Sequence, residues 1–341
     1  MIIGIECTAH TFGVGVVNSG KILANIRDMY VTESGGIIPV ESAKHHREVA
    51  ETLWQRALEE AGILEKDINA IALSNAPGLA PCLLAGMEFA KAMALKLKVP
   101  IVPVNHCVAH LEIGRSVGAK DPVLLYASGA NTQIIAYAES KYRVFGETLD
   151  IGVGNFIDKV ARAFSMGFPG GPKIEKEALK IQESEKEKRF IELSYSIKGM
   201  DVAFSGMQTK IQQIYEKEKN KGDNEKQKII EDLSFSLQET AFAMLVEAAE
   251  RAMAHTGKKE LVLGGGVACN SRLQEMCKIM CNERGAKYFC PPRDLLVDNA
   301  AMIAFTGEIM LESGVKVEIK NLEKLDILPR ERTDHVNVVW R

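Results

Sequence analysis

The sequence predicts an α/β protein made of two similar halves, and three observations carry that prediction. At 341 residues the chain exceeds what one ordinary core accommodates, so two domains are expected. A meander of three short apolar strands opens the chain and recurs near its middle, each time leading on to helical spacing. Between and after the meanders, apolar runs break into Gly/Pro or polar loops that open helices, the signature of parallel strands joined through helices.

The elements follow in order. Residues 1–6, 13–18 and 21–27 run apolar or alternate, with Gly13, Gly15 and Ser19-Gly20 marking tight turns. Residues 28–39 form a loop with Gly35-Gly36 and Pro39, and Val40 to Ala61 has helical spacing closed by Gly62. His45-His46 are adjacent on that helix and point about 100° apart, so they read as surface or packing residues rather than a chelating pair. Residues 69–75 form a strand that turns through Pro77-Gly78-Leu79-Ala80-Pro81-Cys82 into a helix ending near Leu97, and Pro100 to Val104 is the next strand. The second meander covers 122–128, 132–138 and 141–148, with a helix over about 153–166. After Gly170-Gly171-Pro172, Glu175 is expected to open a helix whose Lys/Glu-rich stretch 176–190 is a solvated face. Residues 199–206 read as an irregular loop, 219–224 as an exposed linker, and 225–255 as a long helix. Leu261-Val262-Leu263 breaks into Gly264-Gly265-Gly266 ahead of a helix to Arg284. Tyr288-Phe289-Cys290 is a strand, and a last helix begins at Asp298-Asn299.

Composition narrows the class. Hydrophobic residues make up 46% and charged residues 26% of the chain, values of a soluble globular protein. No apolar run is long enough to span a membrane, and Met1 to Glu6 reads as a strand rather than a signal peptide. Seven cysteines without a Cys-x-x-Cys pair fit reduced thiols in a cytoplasmic protein. A net charge of −3 excludes a globally basic nucleic-acid binder but leaves room for a local basic patch or a partner that helps hold RNA.

The chemistry-bearing residues gather at strand ends. His106 and His110 follow the strand at 100–104, where ligands collect in α/β sheets. On a helix, residues i and i+4 share a face and can share one metal ion. Such pairs also occur simply packed or solvated, so the spacing alone leaves the metal reading open. Asp298 sits where an N-cap or a metal-binding carboxylate would. The turns Glu6-Cys7-Thr8-Ala9-His10 and Ser128-Gly129-Ala130-Asn131-Thr132 can offer N–H and O–H groups to a phosphate, or can be plain hairpin turns. The glycine run at 264–266 can lie under a flat base or ribose.

This layout, two meander-plus-helix halves with a polar turn from each, is similar to that of the actin, sugar-kinase and Hsp70 (ASKHA) superfamily. The resemblance implies two lobes with a nucleotide cleft between them. The expected division is 1–120 for the first lobe, with a C-terminal helix of about 299–325 packing back on it. Residues 121–298 form the second lobe, with a helical insertion at about 172–256, and 326–341 form a basic, loosely held tail.

A more specific resemblance runs through the whole chain. Its stretches are Gly4-Ile5-Glu6 with Thr8 to Thr11, Pro77-Gly78-Leu79, Val104 to His110, Tyr126, Ser128-Gly129 and Asn131-Thr132-Gln133. They continue with Tyr142 to Gly152, Phe168 to Pro172, Lys198 to Asp201, Phe204-Ser205-Gly206, Gly265 to Ala268, Asp298-Asn299 and Arg332-Thr333-Asp334. On these the sequence resembles the TsaD family in its archaeal/eukaryal form, the catalytic subunit of the KEOPS complex. The resemblance implies a tRNA N6-adenosine threonylcarbamoyltransferase acting on the adenosine at tRNA position 37, in tRNAs that read codons beginning with adenine. The donor would be threonylcarbamoyl-AMP from a separate synthase, with AMP as product and ATP as a further occupant of the nucleotide site. One divalent metal, iron or zinc, would be held by His106, His110 and Asp298 with Tyr126 nearby. Adenylate contacts carry over to Tyr126, Ala127, Ser128, Gly129, Ala130, Asn131, Asp158, Gly171, Glu175 and Asn270. Implied partners are tRNA and the KEOPS subunits, a small kinase and small accessory proteins, with no membrane. Glu6 or His10 is our candidate for accepting the amine proton, on their place in the first polar turn.

The chain departs from the family pattern at Cys7, Ala80, Cys82, Ala130, Cys269, Ser271 and Ala300, and each departure is expected to add a side chain near the cleft. Three other functions compete. A zincin needs Glu inside His-Glu-x-x-His, and here Cys107 and Val108 follow His106. A carbamoyltransferase for a small molecule would share the cleft and metal, although such proteins usually carry a further adenylate-forming domain. A non-catalytic scaffold would have lost the metal pair.

Overall fold

A computed structural model describes residues 1–32, 36–182 and 189–341. Gly35 of the expected glycine loop, and part of the expected Lys/Glu-rich helix face, lie outside the described residues. In chain order the strands are β1 (Ile2–Glu6), β2 (Thr11–Asn18), β3 (Lys21–Met29), β4 (Ala70–Ala76), β5 (Ile101–Asn105), β6 (Val123–Ala127), β7 (Thr132–Ala138), β8 (Lys141–Glu147), β9 (Ile197–Lys198), β10 (Asp201–Val202), β11 (Glu260–Gly264) and β12 (Lys287–Phe289). The helices are α1 (Pro39–Ala61), α2 (Ala80–Leu97), α3 (His106–Glu112), α4 (Val153–Ala163), α5 (Gly171–Gln182), α6 (Ser205–Glu218), α7 (Asp223–Thr256), α8 (Ser271–Glu283), α9 (Arg293–Leu296) and α10 (Ala300–Glu312). Two compact units result, one of residues 1–120, 137–143 and 291–341, the other of 121–136 and 144–290.

The two main sheets repeat one plan. The first has the order β3-β2-β1-β4-β5, and the second has β8-β7-β6-β11-β12 read from the corresponding edge. In each, a meander strand (β1 or β6) pairs antiparallel with its successor and parallel with a later strand (β4 or β11). Folds built this way belong to the actin-like ASKHA class.

In the first unit, alternation decides which face of the sheet each helix covers. Ile3, Ile5, Phe12, Val14 and Val16 join Trp54, Leu53, Leu73, Leu83 and Met87 in one core with α1 and α2. Burying each large side chain stabilises the fold by roughly 1.5–3 kcal/mol. The alternate positions Gly4, Gly13 and Gly15 face α10, whose backbone lies directly upon them. A Cβ on Gly4 would come within 2.5 Å of Ala304 N, and one on Gly15 within 2.6 Å of Ala301 N. Close approach of helix to sheet is therefore written as glycine on the strands and Ala300-Ala301 on the helix. It fixes where α10 starts, and so where Asp298 stands.

Several expectations are corrected. Ser205 and Gly206, expected within the irregular loop, instead open α6, the helix that precedes the linker expected at 219–224. The helix expected to open at Glu175 begins at Gly171. The tail expected to be loosely held ends with Trp340 buried and with Arg341 bonded to Glu112. The departures at Cys7, Cys82 and Ala300 point into packing, not toward a ligand. Cys7 Sγ occupies the space that Gly86 leaves on α2, where a Cβ would lie 2.2 Å from it. Cys82 is buried with its thiol 3.6 Å from Pro39 O, and the Ala300 methyl lies against Gly13. Ala130 is not among the residues with positive φ, so its methyl causes no backbone strain. All seven cysteines are free thiols. No helix among the described residues is long and apolar enough to cross a membrane.

Candidate functional site

In the first unit, β5 ends at Asn105 and α3 starts at the next residue. Asn105 caps that helix, its Oδ1 accepting from Cys107 N at 3.0 Å and Val108 N at 3.3 Å. Capping supplies the partners that the first N–H groups lack, so a helix of two turns can begin directly at His106. His106 and His110 then lie one above the other, ring centroids 4.8 Å apart. Opposite them Asp298 precedes α10, whose N-cap is Asn299. Asp298 Oδ1 stands 3.3 Å from His106 Nε2 and 3.5 Å from His110 Nε2. Among the described residues these three side chains form a group whose ligand atoms all lie within 4.8 Å of one another.

Glu6 stands behind this group at the end of β1. It is fully buried, and its Oε2 lies 2.9 Å from His106 Nδ1. Its Oε1 accepts from Thr8 N at 2.8 Å and Thr8 Oγ1 at 2.5 Å. With Nδ1–H donating to this carboxylate, Nε2 of His106 carries the lone pair and faces Asp298. Carboxylate–histidine pairs of this kind orient metal ligands. The electrostatics agree. Burial lowers the pKa of His110, which keeps its imidazole neutral. Burial alone would raise the Asp298 carboxyl, and it is the charge and N–H donation of the two imidazoles in their protonated form that would more than offset this and hold it well below the usual carboxylate range. Two neutral imidazoles and one carboxylate are the donor set of many zinc and non-haem iron sites, so the residues fit a divalent transition metal.

Glu6 does not fit the role of proton acceptor for a substrate amine, because it is buried and both oxygens are engaged. His10, half-buried at the end of the same turn, is not part of the metal-type group. The cap formed by Asn105 is not read from the sequence, and Thr8 enters there only as part of the first polar turn, not as a partner of Glu6. An Asn directly before a helix is a recognisable cap signal, whereas nothing local marks Thr8.

In the second unit, residues 126–131 follow the end of β6 and Asn270 follows β11, while Asp158 lies on α4 and Gly171 and Glu175 on α5. Tyr126 is buried near the end of β6, its backbone paired with Gly264 and Gln133. The turn after it is closed by Ser128 N to Asn131 O at 2.9 Å and Asn131 N to Ser128 Oγ at 3.2 Å. The start of α4 is bolted to this turn, Gly154 N donating to Ser128 O and Asn155 N to Gly129 O. Gly152, Gly154 and Gly265 make that approach possible, since a Cβ on any of them would lie under 3 Å from the backbone of residues 127–130. Asp158 Oδ1 accepts from Gly170 N at 2.7 Å, and open space surrounds the Cα of Gly171. Glu175 Oε1 accepts from both Ser271 N at 2.8 Å and Ser271 Oγ at 2.7 Å. Asn270 caps α8 and donates to Gln238 Oε1 at 2.6 Å, so its amide is used structurally.

Fold and donor set together define an actin-like α/β protein that carries a two-histidine, one-aspartate group at a strand end. The sequence model of the TsaD family, described as tRNA N6-adenosine threonylcarbamoyltransferase, matches residues 21–305. The chain belongs to this family of transferases. A relative from Thermococcus kodakarensis named tRNA N6-adenosine threonylcarbamoyltransferase is 52% identical over 338 residues, 99% of either chain. A Methanosarcina mazei protein named as a probable bifunctional tRNA threonylcarbamoyladenosine biosynthesis protein is 47% identical over 343 residues, 99% of this chain and 59% of the relative. Among solved structures, HypF from T. kodakarensis superposes with a TM-score of 0.59 at 15% identity, covering 93% of this chain and 48% of HypF. The activator of 2-hydroxyisocaproyl-CoA dehydratase from Clostridium difficile gives 0.52 at 13% identity, covering 92% and 98%. These two likenesses concern the fold.

Proposed function

We propose that this chain transfers the threonylcarbamoyl group from threonylcarbamoyl-AMP to N6 of the adenosine at tRNA position 37, in tRNAs reading codons that begin with adenine. The observation that carries the reading is the His106–His110–Asp298 group backed by Glu6, in a chain of this family. The setting is cytoplasmic, within a KEOPS assembly of a small kinase and small accessory proteins, with the adenylate supplied by a separate synthase. His106, His110 and Asp298 would hold one iron or zinc ion. When bound, the metal supplies positive charge against the phosphate or the threonyl carboxylate of the adenylate.

The chain's own residues do the positioning. The Ser128–Asn131 turn and the glycines packed on it present backbone to the nucleotide, while Asp158 and Glu175 offer carboxylates to ribose hydroxyls. An aryl amine is a weak nucleophile, so the gain comes from holding it in line with an already activated carbonyl. The N6–C bond forms, the C–O bond to phosphate breaks, and AMP leaves with the electron pair. His10 is the group we assign to the departing N6 proton. An anticodon-loop base is already outside a duplex, which keeps the cost of presenting it low.

The test is reconstitution with threonylcarbamoyl-AMP and unmodified tRNA, with and without partner subunits, read by nucleoside mass spectrometry. Modified adenosine is expected with the unaltered chain and is expected to vanish with a His106→Ala/His110→Ala variant that has lost its metal. Modification that persists without metal sinks the metal half of the reading. Unchanged turnover in His10→Ala removes His10 from the reaction.

A further inference from the structure

The helix that carries His106 and His110 is seven residues long, too short to hold its own conformation or place in water. On one flank it meets a cavity of about 630 Å³ lined in part by Asn105, Val108, Glu331, Val336 and Trp340. Close packing does not fix α3 on that side, and polar ties from a single segment, residues 331–341, do so instead. At the helix start, Glu331 Oε2 accepts from Asn105 Nδ2 at 3.0 Å, holding the residue that caps α3. One residue in, buried Thr333 hydrogen-bonds the Cys107 side chain. At the last helical residue, Glu112 Oε1 accepts from Arg341 Nε at 2.7 Å and from the Tyr142 hydroxyl at 2.5 Å. Trp340 Nε1 donates to that same hydroxyl at 3.0 Å. Arg115 Nε completes the cluster 2.7 Å from Glu112 Oε2.

Glu112 is fully buried, and a carboxylate in that position is tolerated only with its cations and donors in place. Arg341 is one of the two cations and lies over the faces of Tyr137 and Tyr142, 5.1 and 5.7 Å from their centroids. Its side chain is only 6% exposed, so this is an anchored arginine and not a surface one. We propose that residues 331–341 are a strap that holds α3 at both ends, with Arg341 and Glu112 as the positioning pair that keeps His106 and His110 in chelating geometry. The inference rests on the metal reading above. Without Arg341, Glu112 must turn toward Arg115, its remaining cation, and that moves the helix end two residues beyond His110. Metal–ligand distances tolerate only about 0.2 Å, so affinity responds where overall folding does not.

The experiment measures Co(II) affinity of the full-length apoprotein by chelator competition, with the visible spectrum of bound Co(II) and the melting temperature of the apoprotein as parallel readouts. Arg341→Met is expected to bind Co(II) about tenfold more weakly and to alter the spectrum. Arg341→Lys should stay near the unaltered chain, and adding Glu112→Gln to Arg341→Met should recover most of the loss, because a neutral amide needs no cation. A folded Arg341→Met protein that binds Co(II) within twofold of the unaltered chain, merely melting earlier, overturns the strap. Should Arg341→Met fail to fold, Tyr142→Phe removes one donor to Glu112 without changing charge. A loss of about threefold there supports the proposal, and unchanged affinity overturns it. An unaltered chain that binds Co(II) no better than its His106→Ala/His110→Ala variant overturns the metal reading itself, whereas tight binding indifferent to Arg341 overturns the strap alone.

Discussion

His46 shows how one buried side chain makes stability depend on pH. It sits on α1 with no exposed surface, its ring 5.3 Å from that of Phe12, and neither ring nitrogen has a hydrogen-bond partner. Burial, aided by neighbouring His45, lowers its pKa from 6.5 to about 4. The unfolded chain therefore takes up a proton below pH 6.5 that the folded chain refuses until about pH 4. The stability this group contributes is complete above about pH 6.5 and is lost as pH falls toward 4. The span amounts to about 3 kcal/mol. Urea unfolding from pH 7 to 4 is expected to lose that increment in the unaltered chain and to lose less of it in His46→Leu. Parallel curves for the two proteins would assign the acid sensitivity elsewhere. The adjacent His45 instead faces the surface, its Nε2 2.8 Å from the partly exposed carboxylate of Asp28. Two neighbouring histidines thus acquire opposite surroundings from a 100° turn of the helix.

At the scale of elements, the placement of Asp298 is a packing problem. Asp298 has no helix of its own and stands where it does because α10 begins two residues later, pressed onto β1 and β2. A methyl on Gly15 would meet Ala301 N at 2.6 Å and Ala300 C at 2.7 Å, both backbone atoms that cannot rotate away. Gly15→Ala must therefore push the first turn of α10 off the sheet. The expected cost is about 2–3 kcal/mol by urea denaturation, together with weaker metal binding because Asp298 moves with the helix. Gly20→Ala is the control. Gly20 lies in the β2–β3 turn at φ +73° with nothing within 4 Å of its would-be Cβ, so its cost is conformational, about 1 kcal/mol. Its metal affinity should be unchanged. Equal losses of metal affinity in the two variants would mean that global destabilisation, not helix placement, governs the site.

Across the whole molecule, what could be read from sequence was what is periodic or local. Glycine alternating with Ile, Val and Phe on β1 and β2 marks a strand with one close-packed face, and the repeated meander marks the duplication. His106 and His110 announce themselves by spacing, and Glu6 and Asp298 by their positions at element ends. Ties that close over long stretches of chain carry no such mark. Glu112 and Arg341 are 229 residues apart, and neither residue type at its position suggests the other, so the tail read as loose although it is anchored. Glu6 is legible as a polar residue in the first turn, but its contact with His106 closes across 100 residues and has no local mark. The same division between local and distant suggests how ligands should register in each unit. A metal held by His106, His110 and Asp298 would tie α3 to the start of α10, while an adenylate would rest on the preformed backbone around residues 127–131, 152–155 and 265. Binding slows local opening in proportion to occupancy, by up to about 100-fold at 100 times Kd. Hydrogen exchange read by mass spectrometry is therefore expected to quicken in 106–112 and 299–303 when metal is removed. AMP is expected to slow 128–131, 152–155 and 266–273. AMP that protects none of the second unit's segments would remove the Ser128–Asn131 turn from the nucleotide site, and exchange in α3 indifferent to chelation would remove the histidines from the metal.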